Sequence, residues 1–330
     1  MRKLALLLFL LFPLSTLLLV SASAQEYIPD KRMRVIIDND FGGDPDGLFQ
    51  LAHHLLSPSI EICGIIGSHL TPEAGFDNQG NSAEKACQKA RELMALMGME
   101  QATRVVAGAA AGITDLHTPQ VSDGARLIVE EAMRNDDRPL YVVCGAGLTN
   151  IASAWLMQPE IAKRLTLIWI GGQEYGRTDV PCEYNLNLCI KAGQVVFNES
   201  DLQIWQIPAN VYRQCIFSLA ELRTKVKPCG AVGEYLVKET EGLMTGIRQW
   251  TKMGEIYILG DSPLVLLTAL QTGWAPEPAS SFSINRPIPT IGDNGLYVQN
   301  DNGRPIRVFT QLDNRLLFED MIAKFKQYER

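Results

Sequence analysis

The sequence predicts an α/β fold: an open, mostly parallel sheet with helices on both faces, followed by extra C-terminal helices and short strands. Three observations predict it. From residue 33, short apolar runs alternate with helical segments, the pattern of strands joined by crossover helices. Four of the runs end in polar or Gly-rich stretches: DNDFGGDPDG, GSH near residue 68, CGAGLTN at 144–150 and GGQEYG from 171. In open parallel sheets ligands gather at such carboxyl ends, so the four stretches are expected to converge on a site. Third, no repeat, low-complexity stretch or linker interrupts the pattern, and residues 25–330 are expected to form one domain.

The elements follow in order. MRVIID is a strand, and GLFQLAHHLL is helical. IEICGIIGSH is a strand, and SAEKACQKARELMALMG is a helix closed by Gly98. RVVAG is a strand, and SDGARLIVEEAMRN is a helix with Ser122 as N-cap. PLYVVCG is a strand, LTNIASAWLMQ a helix and LTLIWIGG a strand. An irregular stretch, QEYGRTDVPCEYNLNLC, leads to a helix over about 190–198, then to the strand LQIWQIP. Beyond Pro208 the pattern is more helical, up to SPLVLLTALQTG. Residues 280–315 read as short strands turning at GDNG and NDNG, and LLFEDMIAKFKQYE is a closing helix.

The first 24 residues have the pattern of a signal peptide. Arg2 and Lys3 precede an apolar run, Leu4 to Val20, and Ala22 and Ala24 fit the small-residue rule for cleavage. An uncleaved anchor is the alternative, because the run is long. The chain is therefore expected to be exported, periplasmic or secreted. The net charge of −7 becomes −9 without Arg2 and Lys3, which argues against a nucleic-acid partner. Seven cysteines with no CxxC pair make neither a disulfide scaffold nor a zinc site, and several lie in apolar runs as small hydrophobes.

The stretch VIIDNDFGGDPDG carries Asp38, Asp40, Asp44 and Asp46 within nine residues. Carboxylates so close repel, and charge is costly to desolvate without a partner. Hard cations such as Ca²⁺ or Mg²⁺ take oxygen ligands of this kind, and glycines let the backbone turn them inward. The EF-hand pattern does not fit, since Phe49 stands where its last Glu belongs. Two other readings stay open: a haloacid-dehalogenase-like phosphatase with Asp38 as nucleophile and Asp40 as acid/base, and a solvated acidic loop capping the next helix.

Other segments set the loop in a context. The loop resembles the DxDxGxDDA signature of the nucleoside hydrolase family, through Asp38, Asp40 and Gly42, with one extra residue and Pro45-Asp46-Gly47 where Asp-Asp-Ala is usual. GNSAEKACQKA is similar to the family's GN segment, placing Asn81 near the base. CGAGLTNIA is similar to GPLTNIA, whose backbone carbonyl binds calcium, pointing to Gly145 with Cys144 next. VPCEYNLNLCIKAGQVVF resembles TPAAEFNxxxDPEAAxxVF, which would put Glu183 and Asn185 on sugar hydroxyls, with Asp179 the nearest match to a further upstream Asn. LGDSPLVLLTAL resembles HDPLAVA, making Asp261 the last calcium ligand, while Gly260 stands where many members carry His. These segments occur in family order from about residue 33 to 270.

The resemblance implies a Rossmann-like core and Ca²⁺-dependent hydrolysis of ribonucleosides to base and ribose. Asp40, Asp46, Asp261 and the Gly145 carbonyl would hold the cation, Asp40 would be the general base, and Asp44, Glu183 and Asn185 would hold the sugar. Such enzymes are commonly dimers or tetramers. With the His acid missing at 260, His69 is the candidate to face the base. His53 and His54 read as packing or surface residues and His117 as a loop residue. Tyr175, Trp169 and Trp205 could stack on a base, although a core role is expected of both Trp. Asp261 and Asn81 could equally cap helices, Asn185 could satisfy backbone groups, and Glu183 could be a surface charge. A sugar- or nucleoside-binding protein that keeps the fold without turnover is a further alternative.

Overall fold

The computed structural model describes residues 27–72, 80–271 and 281–329. The expected signal peptide lies outside them. In chain order the first half contains β1 (Met33–Asn39), α1 (Asp46–Leu55), β2 (Ile60–Gly67), α2 (Ser82–Leu96), β3 (Val105–Ala107), α3 (Asp123–Met133), β4 (Leu140–Cys144), α4 (Thr149–Met157) and β5 (Leu165–Ile170). Then come α5 (Tyr184–Asn187), α6 (Ile190–Gln194), β6 (Gln203–Ile207), α7 (Ala209–Tyr212), β7 (Ile216–Ser218), α8 (Leu219–Glu221), α9 (Gly230–Ile247), β8 (Ile256–Ile258) and α10 (Pro263–Leu266). The chain closes with β9 (Ser281–Pro287), β10 (Thr290–Ile291), β11 (Tyr297–Val298), β12 (Pro305–Leu312) and α11 (Asn314–Tyr328).

Eight strands form the main sheet in the order β3-β2-β1-β4-β5-β6-β12-β9. All neighbours are parallel except β12 and β9. All seven residues of β1 are buried, as expected for a central strand covered on both faces. Its side chains alternate between two cores. Val35 and Ile37 join one with Leu48 and Phe49 of α1, Leu236 of α9 and Leu317 of α11. Ile36 joins the other with Leu127 of α3, Ile151 of α4 and Ala192 of α6. Arg34 is buried on β1 because its guanidinium is satisfied, donating to the Glu131 carbonyl at 2.7 Å and pairing with the Glu131 carboxylate at 3.5 Å.

The α/β expectation holds, with local differences. Ser122 does cap α3, its Oγ accepting from the Ala125 N–H at 3.1 Å. The helix expected over 190–198 is α6 followed by a π-helical turn, Val195–Glu199. In SPLVLLTALQTG the regular helix is the four residues of α10. The GDNG turn does join a short pair, β10 and β11. Strands β9 and β12, however, are seven and eight residues long and extend the main sheet. All seven cysteines are free.

Strand β1 is where the strand order reverses: from it the chain builds β2 and β3 on one side, then β4, β5 and β6 on the other. Its end pairs with that of β4, Asp38 opposite Cys144, and the Gly145 N–H extends the ladder to the Asp38 carbonyl at 3.0 Å. A crevice at the carboxyl ends of such diverging strands is the usual ligand site of open α/β sheets.

Candidate active site

The loop after β1 is tight. The Gly43 N–H donates to the Asp40 carbonyl at 2.7 Å, and the Asp46 N–H to Asp44 Oδ1 at 3.2 Å. Asp46 opens α1, where the helix N-terminus favours a carboxylate. The loop bounds a cavity of about 130 Å³ with Asp40, Asp44 and Asp46 on its wall. Gly145 from the end of β4, Ile170 from β5, Glu183, Tyr184 and Asn185 at the start of α5, Tyr212 of α7, and Gly260 and Asp261 complete it.

Four of the lining side chains, Asp46, Asp261, Asn185 and Glu183, have definite partners. The Asp261 N–H donates to Asp46 Oδ2 at 3.2 Å, and Asn39 Nδ2 donates to Asp261 Oδ2 at 2.8 Å. Asn185 Nδ2 donates to the Ile170 carbonyl at 2.8 Å and reaches the Gly145 carbonyl at 3.4 Å. Glu183 caps α5: Oε2 accepts from the Gly172 and Leu186 N–H groups at 2.7 and 3.1 Å, and Oε1 accepts from the Tyr212 hydroxyl at 2.7 Å. Gly172 reaches this bond with φ +81°, a left-handed backbone that suits glycine.

The lining contains five carboxylates and, among the described residues, no Lys, Arg or His. Burial pushes the Asp40 and Asp46 carboxyls well above the usual range, and the neighbouring Asp261 and Asp44 add to it. Asp261 is also raised, chiefly by burial, against the pull of its bond from Asn39. This donor set is all oxygen and lacks a counter-charge, which fits a hard divalent cation. The carboxylates share the cavity without closing on one point: among the described residues, no group of three or more His, Cys, Asp or Glu is spaced to hold a metal ion.

Seven residues expected at the site are brought together here: Asp40, Asp44, Asp46, Gly145, Glu183, Asn185 and Asp261. Three others stand apart from the lining. Asp179 is exposed and held by Arg177 at 2.7 Å. Asn81 is exposed ahead of α2 and makes no capping bond with its side chain. His69 does lie past the end of β2, but it is buried with Nε2 2.9 Å from Thr149 Oγ1, and burial lowers its pKa. Trp169 is core, donating to the Ala146 carbonyl at 3.0 Å. Trp205 packs on Tyr141, and Tyr175 against Tyr297.

Asp38 is wholly buried, its Oδ1 accepting from Ser68 Oγ at 2.5 Å and Asn150 Nδ2 at 3.0 Å, and burial raises its pKa to about 6. Its carboxylate does not line the cavity, which removes the nucleophile of the phosphatase reading. Two contributors carried no sequence signal. Asn39 lies between two aspartates with no feature of spacing or composition to mark it. Tyr212 lies against Gly260, whose Cβ, if present, would be 3.0 Å from the ring.

Comparison with known proteins bears on the family and the fold. Curated inosine-uridine preferring nucleoside hydrolases from Leishmania major and Crithidia fasciculata are 28% identical over 191 residues and 32% identical over 83. These alignments span 51% and 24% of this chain, but 57% and 25% of the relatives' own lengths. Among solved structures, a purine-preferring ribonucleoside hydrolase from Gardnerella vaginalis superposes with a TM-score of 0.71 at 17% identity, over 90% of this chain and 99% of that one. An inosine-uridine preferring nucleoside hydrolase from Bacillus anthracis gives 0.66 at 17% identity, over 89% and 99%. At such identities these likenesses show the fold. The family model for inosine-uridine preferring nucleoside hydrolase matches residues 35–271, which takes in the Asp loop, Glu183 and Asp261 together, and the chain belongs to that family.

Proposed function

We propose that this chain hydrolyses the N-glycosidic bond of ribonucleosides to free base and ribose, with Ca²⁺ as its cation. One observation carries the reading: five carboxylates from three separate segments of the chain line one cavity of about 130 Å³ at the point where the strand order reverses. Beside ligand pockets of roughly 300–1,000 Å³ this volume is small, and on this reading it takes the pentose alone.

Each residue has a task. Asp40 takes the proton of the attacking water, its own place fixed by the Asn39 side chain accepting from its N–H at 2.8 Å. Asp44, Glu183 and Asn185 hold sugar hydroxyls. Water adds to the anomeric carbon as the base departs with the bonding pair, and the surrounding carboxylates stabilise the oxocarbenium-like charge between. Asp46, Asp261 and the Gly145 carbonyl, with Asp40, are the oxygens that would hold the cation. When bound, the cation supplies positive charge that makes water a better nucleophile at neutral pH. Gly260 offers no acid for the leaving base, and Tyr212 occupies the neighbouring space.

The same reading includes export after removal of residues 1–24, with residues 25–330 acting as one unit. The test is release of ribose from a panel of ribonucleosides, with and without Ca²⁺, beside Asp40→Ala. Release that needs both supports the hydrolase. Tight nucleoside or ribose binding with no release by any ribonucleoside would instead mark a binding protein, a reading that Gly260 favours.

A further inference from the structure

We infer that Asn39 is a positioning residue for the carboxylate cluster, acting at the end of a directional hydrogen-bonded chain that starts at Thr268 and runs through His54 and Gln50. The chain can be followed donor by donor. Thr268 Oγ1 donates to the Leu264 carbonyl at 2.7 Å, so its lone pair accepts from His54 Nε2 at 2.9 Å. With its proton on Nε2, His54 accepts at Nδ1 from Gln50 Nε2. That bond turns Gln50 Oε1 toward Asn39, whose Nδ2 donates to it at 3.3 Å and to Asp261 Oδ2 at 2.8 Å. The other end of the same amide, Asn39 Oδ1, accepts from the Asp40 N–H at 2.8 Å.

No member can reverse without loss. A flipped Asn39 amide would set its oxygen against the Asp261 carboxylate and an N–H against the Asp40 N–H. Asn39, Gln50, His54 and Thr268 are all fully buried, so water cannot repair a broken link. One carboxamide thus holds both the backbone of Asp40 and one oxygen of Asp261.

Room for that carboxamide has been made on two sides. A Cβ on Gly47 would lie 2.8 Å from Asn39 Nδ2, and one on Gly145 would lie 2.5 Å from the same atom. Gly47 is one of the positions where this chain departs from the Asp-Asp-Ala pattern. Any side chain at 47 would press on the Asn39 carboxamide, so the glycine there and the asparagine at 39 fit each other sterically.

For its cation readout the inference rests on the proposed Ca²⁺ site; for its packing and geometry it does not. Three measurements test it on the full mature chain. Calorimetry with Ca²⁺ alone is expected to show affinity falling 10-fold or more in Asn39→Ala. It should fall several-fold in Gln50→Leu/His54→Leu, which breaks the chain at its far end and keeps Asn39. A crystal structure of metal-free Asn39→Ala is expected to show the Asp261 carboxylate turned away from its place beside Asp46. Gly47→Ala is expected to lower the melting temperature of the wild-type chain and to be neutral in the Asn39→Ala background. Unchanged Ca²⁺ affinity in folded Asn39→Ala, an unmoved Asp261, or a Gly47→Ala cost that persists without Asn39 would each overturn the inference. If the wild-type chain binds no Ca²⁺, the cation reading fails; the crystal structure and the Gly47 pair then decide the positioning role.

Discussion

The hydroxyl of Tyr212 donates to Glu183 Oε1 at 2.7 Å, while its ring lies against Gly260. One side chain thus anchors a carboxylate of the cavity and fills the space beside a position that cannot carry an acid. Tyr212→Phe keeps the ring and removes the bond. A hydrogen bond to a charged group contributes about 1.5–3 kcal/mol, so kcat/KM is expected to fall roughly 10- to 100-fold. If Glu183 holds the sugar as proposed, much of the loss should fall on KM. Steady-state kinetics of the folded variant check this; an unchanged KM would mean that Glu183 does not touch the sugar.

Placing a histidine at 260 tests the other half of that relationship. A Cβ there would meet Tyr212 at 3.0 Å and Asp46 Oδ2 at 3.2 Å. Gly260→His alone is expected to reduce activity, because the neighbours must give way. Combined with Tyr212→Thr, which clears the ring, the histidine is expected to raise kcat above that of Tyr212→Thr by an order of magnitude or more, the usual scale of a general acid. Equal kcat in the two Thr backgrounds would show that leaving-group protonation does not limit the rate.

The buried carboxyls predict an inverted pH response without cation. Asp40 and Asp46 bind protons more tightly folded than at their ordinary value of 3.8. Between that value and the raised one, the folded state holds more protons than the unfolded state, so their contribution to stability falls as pH rises. Metal-free protein should therefore melt higher near pH 5.5 than near pH 8, as far as these groups decide it. Ca²⁺ at 100 times its Kd should return about 2.7 kcal/mol at pH 8, and less at pH 5.5, where protons compete for the same oxygens. Thermal melts across pH, with Ca²⁺ and with chelator, measure both. An equal Ca²⁺ shift at both pH values would contradict the assignment.

Asp38 and Asp40 differ by two positions and should differ sharply in effect. Asp38→Asn keeps an oxygen for Ser68 and Asn150 and places its NH₂ where Oδ2 has no hydrogen-bond partner. A change of about 1 kcal/mol or less in unfolding free energy is expected, with ribose release retained. Asp40→Ala should lose 100-fold or more in kcat, the scale of a general base. Comparable losses in the two variants would put Asp38 back into the chemistry.

Much of the site was legible because its chemistry needs particular atoms at strand ends. Asp40, Asp44 and Asp46 stand out as charge crowded after an apolar run, and Glu183 and Asp261 emerge from ordered segments of the family pattern. Orientation was not legible. His69 occupies the right end of β2, yet its ring turns to Thr149, a partner 80 positions away. Asp179 finds a nearer partner in Arg177. Tyr212 enters the cavity through packing against Gly260, a contact that no local spacing encodes. The same limit applies to the fold. The alternation that announces β1 to β6 fades after Pro208, so β9 and β12 read as short pieces until β12 is seen pairing with β6 on one side and β9 on the other.

The bond from the Asp261 N–H to Asp46 joins groups 215 positions apart. During synthesis the first acidic loop emerges long before its partner. Stopping the chain anywhere short of Asp261 leaves the early carboxylates without their last companion. If the proposed cation binds there, its affinity would report that the chain between the two groups has folded, and would be silent on the last strands and helix, which follow Asp261.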